Sequence, residues 1–206
     1  MSQRRTATET RELIFEACSR ILQREGLTNL TLEAVSDEAG LSKGGLLYHF
    51  PTKQSLIESL FEYHNDKFET RIQELVLEEA DEPGAWLRAY AKASIEQIID
   101  PDNASLYASL FAAEEKYASA HQLMRRKYVD WQRRIEASRL DPTWATLVRF
   151  AVDGLWFAEM HKYAPPNEER RQEIIDLIFS LTRGPLKSDG NNEQSTTQSY
   201  LENIRS

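Results

Sequence analysis

The sequence predicts an all-α protein in which a three-helix N-terminal unit is joined by one long helix to a larger helical unit. Three observations predict this. The long segments carry apolar residues at helical spacing, as in Leu13, Ile14, Ala17, Cys18, Ile21 and Leu22. No segment sustains the alternation of a half-buried strand. The breaks carry helix punctuation, with Thr, Ser or Asp before a periodic stretch and Gly or Pro after it.

The elements follow in order. Thr6 with Glu9 forms a capping box at the start of the first helix, and Gly26 marks its stop. A short helix is expected over 32–38, capped by Thr31 and closed by Gly40. Ser42 caps a third, running to about Tyr48. Pro51 breaks the chain and Thr52 caps the fourth, which carries Leu56, Ile57, Leu60, Phe61, His64, Phe68, Ile72, Leu75 and Val76 along one side. It extends to about Glu79, roughly 40 Å at ~1.5 Å per residue. Residues 81–84 (DEPG) read as a turn and a seam. Further helices are expected over 85–99, 104–114, 117–138, 143–163 and 168–183, broken at Asp100-Pro101-Asp102, Asp141-Pro142 and Pro165-Pro166. The expected units are 8–54, then 55–183 with the long helix included. Residues 184–206, rich in Ser, Asn, Gln and Thr, are expected to be a solvated tail.

Composition narrows the function. At 206 residues, with 41% hydrophobic and 28% charged, the chain reads as an ordinary soluble globular protein. No apolar run approaches the ~20 residues of a membrane span, and residues 1–10 lack the apolar core of a secretory signal, so a cytoplasmic location is expected. A single cysteine, Cys18, excludes an internal disulfide and a multi-cysteine metal site, and its apolar neighbours make it a small buried hydrophobe. The histidines His49, His64, His121 and His161 form no metal pair, and neither a Gly-rich phosphate loop nor a nucleophile elbow is present. No enzymatic activity, metal or cofactor is expected. The formal net charge of −8 argues against nucleic acid, but residues 1–54 hold seven bases and seven acids, so all of it lies beyond residue 54. A neutral head binds DNA only if its few cations face one way.

The informative stretch is residues 31–53, TLEAVSDEAGLSKGGLLYHFPTK. Two short helices joined by a glycine-containing turn make a helix-turn-helix, the second helix being free to enter a major groove. Leu32, Val35 and Ala39 face inward, Leu41 plugs the turn, and Leu46 and Leu47 anchor the second helix. Its outward positions are Ser42, Lys43, Gly44, Gly45 and Tyr48. Each interior glycine costs about 1 kcal/mol against alanine in a helix but lets a partner approach the backbone closely. Lys53, in the first turn of the fourth helix, opposes the helix dipole, a placement that becomes favourable when an external phosphate sits there. Arg4 and Arg5 are either a mobile DNA-contacting arm or a solubilising terminus.

This stretch resembles the DNA-binding motif of the TetR family of transcriptional regulators, on Thr31, Ala34, Val35, Ala39, Gly40, Leu41, Ser42, Leu47, Tyr48, His49, Phe50, Lys53 and the following Leu56. The match covers about residues 8–60. The remainder is similar to the family only in helix count and layout. The resemblance implies that Ser42, Lys43, Gly44 and Gly45 meet base edges, that Tyr48, His49 and Lys53 meet the DNA backbone, and that Thr31 belongs to the same surface.

One such head covers a short half-site, so specific binding to double-stranded operator DNA calls for a homodimer on a palindrome. The expected interface comprises Leu147, Ala151, Leu155 and Ala158 in 144–160, and Ile174, Ile178 and Leu181 in the last helix. The resemblance implies the same helix pair. The alternative is that these residues close the monomer core. The middle helices are rich in aromatics, and Phe111, Met124, Tyr128, Trp131, Phe150 and Trp156 are the candidate lining of a cavity for a small lipophilic effector. Glu114, Glu115, Asp153 and Glu159 either favour a cationic ligand there or are solvated faces. The expected function is a ligand-responsive repressor released from its operator by that effector. Two alternatives stay open: an activator, and a helical regulator acting through protein partners.

Overall fold

In the computed structural model, which describes residues 6–99 and 101–186, nine helices and no strands are found among the described residues. Arg4, Arg5 and positions 187–206 of the expected tail lie outside them. The head is α1 (Ala7–Asn29), α2 (Leu32–Glu38) and α3 (Lys43–His49). The connector is α4 (Lys53–Glu78), and the body is α5 (Ala85–Ile99), α6 (Pro101–Lys116), α7 (Ala118–Glu136), α8 (Pro142–His161) and α9 (Glu168–Leu181).

Local chemistry sets the ends. Thr6 and Glu9 form the expected capping box, and Thr31, Ser42, Thr52, Asp141 and Asn167 each accept a backbone N–H at a helix start. Gly26 does interrupt α1, with φ of 74°, yet one further turn follows to Asn29. α6 starts at Pro101, three residues before the expected start. A proline at the first helical position needs no hydrogen-bond donor, so it opens the helix instead of breaking the chain.

Two cores form. In the head, Ile14, Cys18, Ile21, Leu22, Leu30, Val35, Leu46 and Phe50 pack against Leu56, Ile57, Leu60 and Phe61 of α4 and against Leu106, Leu110 and Ala113 of α6. In the body, Ile72 and Leu75 of α4 join Leu87, Tyr90, Ile95, Trp131, Ile135, Val148, Val152, Leu155 and Ile178. The two ends of α4 thus belong to different cores. Helix α6 also lies on α1, where the Ser109 hydroxyl donates to the Leu22 carbonyl at 3.2 Å.

The expected seam at 81–84 is a locked corner. Arg88 is buried, donating through Nε to Glu79 at 2.8 Å and through Nη1 to the carbonyls of Pro83 (2.9 Å) and Thr182 (3.3 Å). Gly84 has φ of 80°, and a Cβ there would sit 2.3 Å from the Thr182 carbonyl oxygen. Gly84→Ala should therefore lower the unfolding free energy by about 2–3 kcal/mol, from backbone strain plus overpacking. Urea unfolding followed by circular dichroism checks this, and an unchanged midpoint would refute the account of the corner.

Candidate functional site

The reading surface is built by α2, the turn and α3. The Ser42 hydroxyl accepts the Gly45 N–H at 3.1 Å, fixing the first turn of α3. Leu46 and Phe50 are buried and hold the helix to the head, while Leu47 is only partly buried. What projects is Ser42, Lys43, Gly44 and Tyr48, the last 83% exposed, with His49 edge-on to the Tyr48 ring at 5.2 Å. A Cβ at Gly44 would meet nothing within 4 Å, so the head's own packing does not require that glycine. Thr31 is exposed, with its hydroxyl taken as the α2 cap. Lys53 stands half-buried in the first turn of α4, its pKa lowered by burial and by nearby Lys116.

Most cations of the described head are occupied. Arg20 and Arg24 both reach Glu38, at 2.6 and 2.8 Å, holding its carboxyl down at about 2. The Arg11 guanidinium lies 4.6 Å from the Phe50 ring centroid and 5.5 Å from that of Phe15. Lys43 donates to Glu33 of α2 at 2.5 Å, which lowers the pKa of that carboxyl. These pairings link positions far apart in sequence, and no periodicity reveals them.

The second site is a cavity of about 110 Å³ bounded by α4, α5, α6, α7 and α8. Five of the six expected residues line it: Phe111, Met124, Tyr128, Trp131 and Trp156. Phe150 does not. It lies about 120° around α8 from Trp156 at ~3.6 residues per turn, is 54% exposed, and stacks under Arg149 at 4.5 Å. The expectation missed Phe61, His64, Asn65 and Phe68 on α4, Tyr90, Ser94 and Gln97 on α5, and Tyr107 and Leu110 on α6. The spacing of 61, 64, 65 and 68 was visible on the apolar side of the long helix, and His64 in that stripe was the available signal.

Of the four acids, Glu114 and Asp153 line the cavity. Glu115 is exposed, and Glu159 is buried, ion-paired with Arg171 of α9 at 2.5 Å. Burial raises the pKa of Asp153, opposed by the Tyr90 hydroxyl (2.6 Å) and by Arg149 (2.7 Å). Burial likewise raises Glu114, which accepts from or shares a proton with His121 Nδ1 at 3.0 Å. Trp156 donates its indole N–H to Gln97 at 3.0 Å. His64 is buried, and burial, reinforced by Lys67, depresses its pKa to about 4. Its Nε2 lies 3.0 Å from the Ser19 hydroxyl, which donates to the Phe15 carbonyl at 2.9 Å. This hydrogen bond ties the cavity wall at His64 to α1 of the head.

The expected interface residues divide. Leu155 and Ile178 are 6% and 2% exposed and belong to the monomer's own core, so they are corrected to core positions. Leu147 and Ala151 are exposed, while Ala158, Ile174 and Leu181 are half-buried. Leu177, not among the expected positions, is exposed beside them on α9.

Residues 14–60 match the family model described as bacterial regulatory proteins of the tetR family, and residues 84–183 match the tetracyclin repressor-like C-terminal domain. The chain belongs to the TetR family. Among curated relatives, the HTH-type transcriptional regulator TtgR of Pseudomonas putida is 36% identical over 63 residues, 29% of this chain and 30% of that protein. The nucleoid occlusion factor SlmA of Vibrio campbellii is 32% identical over 75 residues, 36% of this chain and 38% of that protein. YuxN of Bacillus subtilis is 27% identical over 92 residues, 45% of this chain and 31% of that protein. The matched stretch thus spans about a third of the length of these relatives. A TetR regulator from Haloarcula marismortui superposes with a TM-score of 0.72 at 16% identity, covering 87% of this chain and all of that one. The multidrug binding protein EbrR, complexed with malachite green, superposes with a TM-score of 0.57 at 23% identity, covering 82% of this chain and 96% of that one. Such likenesses carry the fold.

His64 gives this TetR-family chain a pH signature. Its folded pKa, about 4, lies below the 6.5 of an ordinary histidine, so the unfolded chain binds the extra proton first. Stability from neutral His64 is complete above pH 6.5 and is lost as pH falls toward 4, by up to about 3 kcal/mol. Denaturant titrations across that window should show a clearly smaller loss for His64→Gln than for wild type. Parallel curves would remove His64 as the cause.

Proposed function

We propose that the protein is a ligand-responsive, DNA-binding transcriptional regulator: a cytoplasmic homodimeric repressor, not an enzyme, released from a palindromic operator by a small effector. The observation that carries this reading is the continuity of α4. Its first turn holds Lys53 beside the reading surface, and its next turns present Phe61, His64, Asn65 and Phe68 to the cavity. Base contacts fall to Ser42, Lys43 and the backbone at Gly44 and Gly45, with Tyr48, His49 and Lys53 on phosphates. Gly44 and Gly45 have no side chain to read with, so specificity leans on Lys43 and on DNA shape.

The effector is lipophilic and positively charged. Eight aromatic residues line the cavity, two carboxylates join them, and neither lysine nor arginine does. Multidrug binding by EbrR supports a small molecule as the ligand class. The cavity, at about 110 Å³, is smaller than the ~300–1,000 Å³ of typical ligand pockets, so occupancy requires the surrounding helices to part. Movement of α4 carries this change to the head, and coupling of about 1–3 kcal/mol weakens operator binding roughly 5- to 150-fold.

Footprinting on the DNA upstream of its own gene tests the regulator reading. On a protected site, Tyr48→Ala should weaken binding to operator and unrelated duplexes by similar factors, whereas Lys43→Ala should weaken the operator most. Wild-type binding by both variants would refute the groove assignment. The dimer uses the exposed apolar face of α8 and α9, with Leu147, Ala151 and Leu177 at its centre. Leu147→Arg should yield monomers by light scattering and lose operator binding, and a dimer of unchanged affinity would place the interface elsewhere.

A further inference from the structure

The Lys43–Glu33 pair is not explained by a contribution to stability. Both side chains are more than half exposed, and exposed pairs contribute little to folding. Yet the pair ties the one lysine of the recognition helix to an acid that projects from α2 on the same side of the head. Three further cations of the described head are engaged as well: Arg20 and Arg24 by Glu38, and Arg11 by two aromatic rings. Among the described head residues, Lys53 is the cation with neither a carboxylate nor a ring partner.

We propose that Glu33 is a specificity-determining residue of the DNA-binding surface, holding Lys43 back from phosphates and releasing it only to a base edge. The inference rests on the DNA-binding reading above. A phosphate approaching Lys43 meets the Glu33 carboxylate, so a non-cognate duplex gains no counterion release from this lysine. A cognate base pair differs. The guanine O6 and N7 acceptors receive the ammonium, and a cytosine N4 amine offers the displaced carboxylate a donor. The pair thus subtracts from sequence-independent attraction while leaving base readout intact.

The probes are a random-sequence 30-bp duplex and the duplex that wild-type protein recovers from a randomised pool, each titrated at several salt concentrations. Glu33→Gln keeps the shape and removes the charge. On the random duplex it should steepen the slope of log K against log salt by about 0.9 per head and raise affinity about 8-fold per head at 0.1 M salt. The ratio of selected to random affinity should fall. In a Lys43→Ala background, Glu33→Gln should have no such effect. An unchanged slope and ratio overturn the proposal, as does an equal effect with and without Lys43, which would mean that Glu33 repels phosphate on its own. A wild-type protein that recovers no sequence from the pool overturns the DNA-binding reading and this proposal with it, whereas a recovered sequence with an inert Glu33→Gln overturns this proposal alone.

Discussion

Helix α4 must satisfy two cores at once. Leu56, Ile57, Leu60 and Phe61 are buried with the head, Ile72 and Leu75 with the body, and the stretch between them faces a cavity. A straight helix rises about 1.5 Å per residue and cannot stretch, so a shift at one end is transmitted to the other. Densely packed cores resist gradual deformation and move between discrete arrangements. The cavity lies alongside the stretch of α4 between the two cores, at Phe61, His64, Asn65 and Phe68. The ring of His64, hydrogen-bonded to Ser19 on α1, adds a direct tie from that region to the head. Helix α6, packed on α1 and lining the cavity with Tyr107, Leu110 and Phe111, supplies a second route between the regions.

The two ends treat charge differently. In the cavity, Asp153 is held by Tyr90 and Arg149, and Glu114 by an exposed histidine, so both carboxylates of the aromatic chamber have partners. In residues 1–54 seven acids balance seven bases, and the excess acid of the chain lies beyond them. Three of those acids, Glu25, Glu33 and Glu38, are ion-paired on its surface with Arg20, Arg24 and Lys43.

The sequence made legible whatever depends on neighbours within one helical turn. Thr6, Thr31, Ser42 and Thr52 cap helices because their side chains reach a backbone N–H three residues on, so the starts of α1, α2, α3 and α4 could be read directly. The recognition surface was legible for the same reason, since Ser42 through Tyr48 form one short amphipathic element. Helix α8 was harder. Leu147, Val148, Phe150, Val152, Leu155, Trp156 and Phe157 ring most of its circumference, so periodicity gives no single inner face. Packing against α5 and α9 decides that Leu155 turns inward and Phe150 outward. The cavity's polar residues, Ser94, Gln97 and Asn65, are ordinary in sequence and acquire meaning only when five helices bring them together. Pro101 was misleading because a proline that breaks one helix can equally begin the next.

The self-paired cations of the head bear on how such a molecule is distributed in a cell. Bulk chromosomal DNA competes for any basic protein, and its grip scales with the number of phosphates neutralised. A head surface on which Arg20, Arg24 and Lys43 already face carboxylates of their own chain offers that reservoir less free positive charge. If Glu33 withholds Lys43 from phosphates as proposed, a larger fraction of copies remains free in solution, and the search leans on repeated three-dimensional encounters instead of long one-dimensional sliding.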